Sequence, residues 1–540
     1  MVAVARLIGG AGTGKTTELM RIIEQVAGKG VDPYSIGFCS FTRAARLEAS
    51  TRAADMFGIR QPELERFGWF KTLHSICYRQ LGVGSELLAS GKRTSDWFEE
   101  HFGERVDVEA DDDVMSFTGK SRTGQVLALW SSCRNRLEPF EDSWERSVRC
   151  SIDVPDLEEC REVVSRYEML KAIDGVVDFV DILGKFAGWA FGFDGHNKCE
   201  PDGEVPDVPV WVFDEQQDTS QLLDSVCRRL VYSGSTSWCY LAGDPFQSIY
   251  GFSGADGSLF RNWEADHERI TGKSWRCSPE ILELGERCIE NCADYFDRGI
   301  EPAAHDGSVG TTQAQTMSWL TGLAPDDDVL LLARTNRLAS WFAKKLNAVG
   351  LPWESTKGTG SWLAPSKRIA LRCLQALASG EVVDWLEFLE VVKQVNAKGN
   401  FTRGTKTKWI KGDKPAAPMV KLDGLTDWGA TDELVSKIKA GRWSQLIDGG
   451  AIYEQACSRF DVMSVLKPTI KVGTIHSVKG AEADEVVLLT SSTKQISNSE
   501  KYAGGLDEER RLAYVGVTRA RKKLTLLNDL NARSRMPLPW

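Results

Sequence analysis

Eight residues near the start of the sequence, GGAGTGKT at 9–16, have the types and spacing of a phosphate-binding loop. The glycines of such a loop let backbone N–H groups turn toward phosphate oxygens. Its lysine, here Lys15, reaches the β- and γ-phosphates, and the hydroxyl of Thr16 is placed to ligate Mg²⁺. The run therefore predicts a site for a nucleoside triphosphate with Mg²⁺. The predicted members are Gly10, Ala11, Gly12, Thr13, Gly14, Lys15 and Thr16.

The residues on either side of this loop predict the strand and the helix that it must connect. VAVARLI at 2–8 is short and apolar, which is typical of a buried parallel strand. After the loop, apolar residues recur at helical spacing, at Leu19, Ile22, Ile23 and Val26. The start of such a helix presents unpaired N–H groups and the positive end of its dipole to a phosphate. A glycine-rich turn that matches by accident is the alternative, and the flanking elements disfavour it.

A second predicted strand ends in two carboxylates, within VPVWVFDEQQD at 208–218. In a phosphate-loop ATPase, Asp214 would hold Mg²⁺ and Glu215 would polarise the attacking water. A solvated strand end is the alternative interpretation. A third predicted strand, 238–242, is followed by Gln247, whose amide is placed to contact the γ-phosphate. Together these segments predict a nucleotide hydrolysis site.

The composition sets broad limits on the class of protein. A chain of 540 residues is too long for one core and predicts several domains. No apolar run approaches the roughly 20 residues of a membrane helix, and the N-terminus lacks the pattern of a signal peptide. We therefore expect a cytoplasmic protein without a membrane partner, and its 13 scattered cysteines predict buried thiols. The net charge of −10 counts against a nucleic-acid partner without excluding a local basic groove.

A series of ordered segments resembles the motifs of superfamily 1 DNA helicases of the UvrD/Rep/PcrA type. The segments are GGAGTGKT (9–16), SFTRAARLEA (40–49), TLHS (72–75), DFVDIL (178–183), VFDEQQD (212–218), GDPFQSIYGFSGA (243–255), SWRCSPEIL (274–282), VLLLARTNRLAS (329–340), VGTIHSVKGAEADEVVLL (472–489) and EERRLAYVGVTRAR (508–521). The resemblance implies an α/β fold with two RecA-like P-loop motor domains built on parallel sheets. Each domain would be interrupted by a mainly helical insertion. The implied segments are 1–78 and 176–268 for the first motor, 79–175 for its insertion, 269–380 and 466–540 for the second motor, and 381–465 for its insertion.

The resemblance also implies roles around the nucleotide, which would be ATP. Arg276 and Arg519 would reach the γ-phosphate from the second motor domain, as arginine fingers that stabilise the charge of the transition state. Trp275 stands where the family usually has a tyrosine that stacks on adenine. Thr17 stands where relatives often have an arginine against adenine, and Glu482 resembles the residue on the ribose side.

Further positions match the contacts that the family makes with single-stranded DNA. Hydroxyls, histidines and arginines would hold phosphates, while aromatic rings would stack on bases. An extended segment would point Tyr250 and Phe252 the same way, although aromatic residues are more often part of a core. The matching positions are Phe41, Thr42, Arg43, Thr72, His74, Tyr250, Phe252, Thr474 and His476.

One basic segment, 393–421, lies in the second implied insertion and has eight Lys or Arg and one acid. Two aromatic residues, Phe401 and Trp409, are interleaved with the charges. Its composition predicts contacts with DNA phosphates. A flexible, solvated basic loop is the alternative. The candidate contacts are Lys406, Lys408 and Lys411.

The resemblance implies a DNA-stimulated ATPase and helicase that moves 3′ to 5′ on single-stranded DNA and unwinds duplex. Its partners would be single strands and single-strand/duplex junctions. Two alternatives stay open. One is an ATP-driven translocase that displaces proteins from single strands with little unwinding. The other is a non-catalytic DNA-binding assembly factor on the same fold.

Overall fold

The structure of this chain is a computed structural model. It describes residues 2–40, 43–84, 86–88, 91–111, 114–118, 121–150, 152–320, 322–358, 360–412, 419–501 and 504–539. The strands are β1 Ala3–Gly9, β2 Ile36–Ser40, β3 Trp69–Lys71, β4 Asp107–Asp111, β5 Val114–Thr118, β6 Trp189–Ala190, β7 Asn197–Lys198, β8 Val210–Asp214, β9 Trp238–Gly243, β10 His267–Thr271, β11 Ser308–Gln313, β12 Val329–Ala333, β13 Glu354–Ser355, β14 Val383–Asp384, β15 Met419–Val420, β16 Lys471–Thr474, β17 Ala483–Leu489 and β18 Ala520–Asn528.

Helices connect most of these strands, as expected of an α/β chain. They are α1 Lys15–Gly28, α2 Arg43–Phe57, α3 Gln61–Phe67, α4 Leu73–Leu81, α5 Lys92–Phe102, α6 Arg122–Arg136, α7 Phe140–Arg149, α8 Leu157–Asp174, α9 Phe179–Ala187, α10 Gln221–Tyr232, α11 Gly257–Arg261, α12 Pro279–Ile289, α13 Asn336–Ala348, α14 Pro365–Ala378, α15 Trp385–Gln394, α16 Thr405–Ile410, α17 Asp432–Lys439, α18 Gly450–Cys457, α19 Val462–Leu466, α20 Lys494–Ser499 and α21 Gly505–Val517.

The chain divides into two compact units. The first comprises residues 1–308, 492–522 and 533–540, and the second comprises 309–491 and 523–532. The first unit therefore includes 269–308 and 492–522, two stretches that the sequence analysis assigns to the second motor domain. The division into six segments stays a prediction.

The first sheet has six strands in the order β10-β1-β9-β8-β2-β3, and every adjacent pair is parallel. All residues of β2 and β8 are buried, as is typical of strands covered on both faces. The strands predicted at 2–8, 210–213 and 238–242 are confirmed as β1, β8 and β9. Because parallel strands end at the same edge, the residues that follow β1, β8 and β9 meet there.

The second sheet also has six strands, in the order β11-β18-β17-β12-β16-β13. Strand β12 is parallel to both β16 and β17, and β13 is parallel to β16. The five residues of β12, VLLLA, are all buried. The predicted fold class, α/β with two RecA-like domains, is confirmed.

Helices α5–α8, which lie in the predicted first insertion, pack around an aromatic core. Buried charges join α6 and α8 to the start of α9. Arg134 on α6 donates to Asp178 at 2.7 Å and to Asp181 at 2.9 Å, and Lys171 on α8 donates to Asp181 at 2.6 Å. Asp178 also caps α9 by accepting from the backbone N–H of Asp181 at 2.9 Å. Burial opposes the charge of Asp178, but Arg134 and Lys171 hold its pKa well below the ordinary value. These carboxylates are therefore balanced by cations of the chain itself.

The segment predicted as the second insertion contains helices α15–α19 and the two-stranded β14–β15 sheet. Its core includes Trp385, Phe401 and Trp409, with the rings of Trp385 and Trp409 5.3 Å apart and edge to face. Phe401 and Trp409 are each only 6% exposed. The aromatic residues of the predicted basic segment therefore belong to the core.

Within the described parts of the chain, no helix is both long and apolar enough to cross a membrane. The 13 cysteines are all free, and Cys199 is exposed while most of the others are buried. The prediction of buried thiols is thus largely confirmed.

Candidate functional site

The predicted phosphate-binding loop joins β1, which ends at Gly9, to α1, which begins at Lys15. Gly12 and Gly14 have φ values of 68° and 78°, in the left-handed region that favours glycine. The Lys15 ammonium is buried and donates to the carbonyls of Gly9 at 2.9 Å and Gly10 at 3.3 Å. The Thr13 hydroxyl donates to the Gly10 carbonyl at 3.0 Å. The loop thus curves around a cation at the positive end of a helix, which is an environment for phosphate.

The acid pair at the end of β8 is bonded directly to this loop. The Thr16 hydroxyl donates to Asp214 Oδ2 at 2.7 Å. Burial and the neighbouring charge of Glu215 raise the pKa of Asp214 to about 6. Thr16 and Asp214 supply the hard oxygen atoms that Mg²⁺ prefers. A cation beside Asp214 would stabilise the charged form of its carboxylate. The residues present therefore fit the predicted metal.

Glu215 has a backbone conformation that is rare for a residue with a side chain. Its φ is 55° and its ψ is 38°, in the left-handed region. Such strain clusters at functional positions. Its Oε2 atom accepts from Gln217 Nε2 at 2.5 Å, which fixes one face of the carboxylate. Asp214 and Glu215 are thus adjacent in sequence but have different hydrogen-bond donors, Thr16 for Asp214 and Gln217 for Glu215.

A buried carboxylate, Asp244, joins Gln247 to the loop. Asp244 accepts hydrogen bonds from Gln247 Nε2 at 2.8 Å, Arg298 Nη1 at 2.6 Å and the Tyr514 hydroxyl at 3.2 Å. The Tyr514 hydroxyl in turn accepts from the backbone N–H of Ala11 at 3.0 Å. Tyr514 is fully buried, so these contacts act without competition from water. One hydrogen-bonded network therefore runs from the loop to Gln247.

Arg298 is a residue that the sequence analysis missed. Its guanidinium donates to both carboxylate oxygens of Glu286, at 2.7 and 2.8 Å, and lies over the rings of Phe246 and Tyr514. Burial opposes its charge, but Asp244, Tyr514 and Glu286 hold its pKa well above the ordinary value. In sequence it lies in DYFDRGIE, which is typical of a solvated loop. No local pattern distinguishes it, because its partners are distant in the chain.

The two predicted arginine fingers lie in the same compact unit as the loop. Arg519 is 1% exposed, and its Nη2 atom donates to Gln247 Oε1 at 3.3 Å. Burial and the charge of Arg276 lower the pKa of Arg519 to about 10, which leaves it charged at neutral pH. Arg276 is half-buried, and its Nη1 atom donates to the Thr518 carbonyl at 3.4 Å. Gln247, Arg276 and Arg519 are therefore brought together.

The segment at 274–276 packs closely on the loop. The Trp275 backbone N–H donates to the Gly12 carbonyl at 2.8 Å, and the Ser274 hydroxyl donates to the Ala11 carbonyl at 2.9 Å. A Cβ added at Gly12 would lie 2.3 Å from Arg276 Cβ, so this approach requires glycine. The Trp275 ring is 70% exposed, with the Lys273 ammonium 4.5 Å from its centre. It is available to stack on a planar ligand.

The other two residues predicted to contact the nucleotide, Thr17 and Glu482, are exposed. Thr17 lies in the first turn of α1. Glu482 directly precedes β17 and belongs to the second compact unit. The role of Glu482 on the ribose side of the nucleotide stays a prediction.

The described side chains of the first unit that are predicted to contact DNA lie at two places. Thr72 is buried and caps α4 by accepting from the backbone N–H of Ser75 at 3.2 Å, and the half-buried His74 follows it. Tyr250 and Phe252 lie at a short 3₁₀ turn rather than in the extended segment that we expected, because the chain reverses before Gly254, whose φ is 99°. Their ring centres are 6.0 Å apart, and Phe252 is 65% exposed.

Three candidates near the start of α2 have little structural description. Phe41 and Thr42 lie outside the described residues. Arg43 begins α2, and its side chain is likewise outside the description. In the second unit, Thr474 ends β16 and accepts from the backbone N–H of Ser477 at 3.3 Å, and His476 begins the 3₁₀ turn that follows.

The lysines of the basic segment differ in their surroundings. The Lys406 ammonium donates to the carbonyls of Lys393 at 3.1 Å and Val395 at 2.7 Å, at the C-terminal end of α15. It therefore neutralises a helix end, a structural role that the sequence analysis did not anticipate. Lys408 and Lys411 are exposed on and after α16. Those two are accessible to solvent, and their predicted contact with phosphates stays a prediction.

Two RecA-like domains, a phosphate loop bonded to an acid pair, and two arginines beside a glutamine define the class of P-loop motor proteins. Comparisons with known proteins then identify the family. The UvrD/REP helicase N-terminal domain profile matches residues 3–268, and the UvrD-like helicase C-terminal domain profile matches residues 456–529. The chain belongs to the UvrD/Rep family of helicases, and the resemblance in its motifs is confirmed.

Relatives of this chain align over almost all of it. It is 24% identical over 583 residues to ATP-dependent DNA helicase UvrD2 of Mycobacterium tuberculosis, covering 96% of this chain and 76% of the relative. It is 22% identical over 626 residues to ATP-dependent DNA helicase PcrA of Bacillus subtilis, covering 97% and 80%. It is 21% identical over 629 residues to DNA helicase II of Haemophilus influenzae, covering 96% and 81%.

Replacing Arg298 by methionine tests the buried network. We expect the free energy of unfolding to fall by about 3 kcal/mol, because Asp244 and Glu286 would lose their buried cation. Urea unfolding followed by circular dichroism measures this change. Arg287→Met is the matched control, since Arg287 lies beside Glu286 on α12 but is exposed. Equal stability of the two variants would contradict the prediction.

Proposed function

We propose that this chain is an ATP-dependent DNA helicase that moves 3′ to 5′ along single-stranded DNA and unwinds duplex. The observation that carries the proposal is the bond from Arg519 to Gln247 at 3.3 Å, since Gln247 is linked through Asp244 and Tyr514 to the phosphate loop. A candidate transition-state cation, a candidate γ-phosphate sensor and the loop thus belong to one network. A bound triphosphate would account for the assembly of all three.

In the proposed hydrolysis, Lys15 and the N–H groups of the loop bind the β- and γ-phosphates of ATP. Thr16 and Asp214 would hold Mg²⁺, which neutralises charge on the phosphate oxygens when it is bound. Glu215 accepts the proton of a water molecule as its oxygen attacks the γ-phosphorus. The bond from that phosphorus to the ADP oxygen breaks, and ADP and inorganic phosphate are released. Arg276 and Arg519 stabilise the negative charge that develops.

The proposed track for DNA uses the two places where candidates cluster. The segment that begins with Thr72 and His74 would contact phosphates, and Tyr250 and Phe252 would stack on bases. Stacking of this kind contributes roughly 1 to 3 kcal/mol per base and does not depend on sequence. We propose that turnover alternately closes and opens the two motor domains and so advances a single strand. The site of action would be single-strand/duplex junctions in the cytoplasm.

Strand displacement assays on 3′-tailed and 5′-tailed duplexes test the helicase proposal. We expect ATP-dependent separation of the 3′-tailed duplex and no separation by Lys15→Ala. Separation of the 5′-tailed duplex alone would contradict the proposed direction. Removal of streptavidin from a biotinylated single strand, without duplex separation, would instead indicate a translocase. A Lys15→Ala protein that still complements loss of the gene would indicate a non-catalytic factor.

The exposed lysines of the second insertion give a separate prediction about DNA affinity. Lys408/Lys411→Ala is expected to weaken binding to single-stranded DNA and to reduce the slope of log Kd against log salt by about 1.4, the value for two lost phosphate contacts. Fluorescence anisotropy at several salt concentrations measures the slope.

Two further variants separate charge from structure in this prediction. Lys437/Lys439→Ala removes the same charge from α17, where both lysines pair with acids, and should leave the slope unchanged. Lys406→Ala should lower stability rather than the slope, because its ammonium caps α15. An unchanged slope in Lys408/Lys411→Ala would remove the proposed contact.

A further inference from the structure

A cavity of about 20 Å³, with room for about one water molecule, lies at the carboxyl ends of β2 and β8, beside the start of α4. It adjoins the acid pair on one side and a predicted DNA-contacting segment on another. The polar residues that line it include Ser40, Thr72, His74, Asp214, Glu215 and Gln216. The cavity thus lies between the proposed hydrolysis site and the proposed track for DNA.

Ser40 lines this cavity, and the contacts described so far give its hydroxyl no role. It is 4% exposed, and its hydroxyl has no hydrogen-bond partner among the residues that the structure describes. The register of the sheet places Ser40 directly opposite Asp214. Buried hydroxyls are nearly always hydrogen-bonded, and an ordered water is the usual partner where a polar cavity has room for one.

Several neighbouring groups already have defined partners. Asp214 accepts from the Thr16 hydroxyl at 2.7 Å and from the backbone N–H of Glu215 at 2.9 Å. Thr72 accepts from the backbone N–H of Ser75 at 3.2 Å. These bonds fix the positions of residues that line the cavity. The Ser40 hydroxyl is a further hydrogen-bond donor, and none of these bonds involves it.

We propose that Ser40 is a positioning residue that binds a water molecule in this cavity and so links the segment at Thr72 and His74 to Glu215. This inference rests on the proposed function. A strand that contacts α4 at its N-terminus shifts the wall formed by Thr72 and His74. The water bound at Ser40 transmits this displacement to the Glu215 carboxylate. That carboxylate must be aligned with a second water, the one that attacks the phosphate. Ser40 therefore couples DNA binding to hydrolysis.

Ser40→Ala tests this coupling through the ratio of DNA-stimulated to basal ATP turnover. We expect the ratio to fall about tenfold, within the usual size of coupling between two sites. Ser40→Thr, which keeps the hydroxyl, should restore most of the ratio. Ser131→Ala is the matched control, because Ser131 also has a buried hydroxyl without a partner in the described chain but lies on α6, away from the cavity. It should keep the ratio of the unaltered protein.

Two outcomes of the turnover measurement would overturn the inference alone. One is a ratio in Ser40→Ala equal to that of the unaltered protein. The other is an equal fall of basal and stimulated turnover, which would indicate a merely structural role. An unaltered protein that DNA does not stimulate would instead remove the proposed function and this inference with it. A crystal structure at high resolution adds a direct check, since an ordered water should lie within about 3.2 Å of Ser40 Oγ. A dry cavity would contradict the proposal.

Discussion

Arg519→Ala is expected to lower the rate of ATP hydrolysis by about 10³-fold or more, the effect of removing an arginine finger. The physical reason is the position of its charge. The guanidinium is 1% exposed and donates to Gln247 Oε1 at 3.3 Å, within the network that reaches the phosphate loop. In such a dry site a cation stabilises the developing phosphate charge far more than it would in water.

Single-turnover hydrolysis and binding of a fluorescent ATP analogue separate catalysis from affinity in this variant. The rate should fall while the Kd for the nucleotide changes little, because the finger acts mainly in the transition state. Arg533→Ala is the control, since Arg533 is exposed in the same compact unit. Hydrolysis by Arg519→Ala at the rate of this control would show that Arg519 does not act on the phosphate.

Glu215→Gln is expected to reduce hydrolysis by about 10³-fold, within the range for loss of a general base. Glutamine has the same shape as glutamate but cannot accept the proton of the attacking water. The left-handed backbone at 215, with φ of 55°, is not altered by this exchange. The Thr16–Asp214 bond is also untouched, so nucleotide binding should be preserved.

The measurement for Glu215→Gln is the steady-state kcat together with the Kd for ATP. Glu264→Gln serves as the control, because Glu264 is an exposed glutamate of the same unit. A kcat above about a hundredth of the value for the unaltered protein would exclude Glu215 as the base, since a lost general base costs at least about 10²-fold.

The local elements of the nucleotide site could be predicted because each depends on a short run of sequence. The apolar run before the loop forms β1, and the helical spacing after it forms α1. The acid pair follows β8 because a run of apolar residues there is buried on both faces of the sheet. Short-range patterns of this kind fix the strand, the turn and the helix together.

The buried network could not be predicted, because its members are far apart in the sequence. Arg298 meets Tyr514, which is 216 positions away. The same limit applies to Lys406, which reads as one of several basic residues but caps a helix. Trp409 is likewise interleaved with basic residues in the sequence, but its side chain is part of the core. Tertiary packing decides these roles, and single-sequence patterns do not contain it.

The central claim is that hydrolysis of ATP at this loop is driven by DNA. The most direct test is the ATP turnover of the purified protein with and without a single-stranded oligonucleotide, with Lys15→Ala measured beside it. We predict that the oligonucleotide raises turnover about tenfold or more and that Lys15→Ala abolishes turnover. Turnover that is the same with and without the oligonucleotide, or that persists in Lys15→Ala, would contradict this prediction.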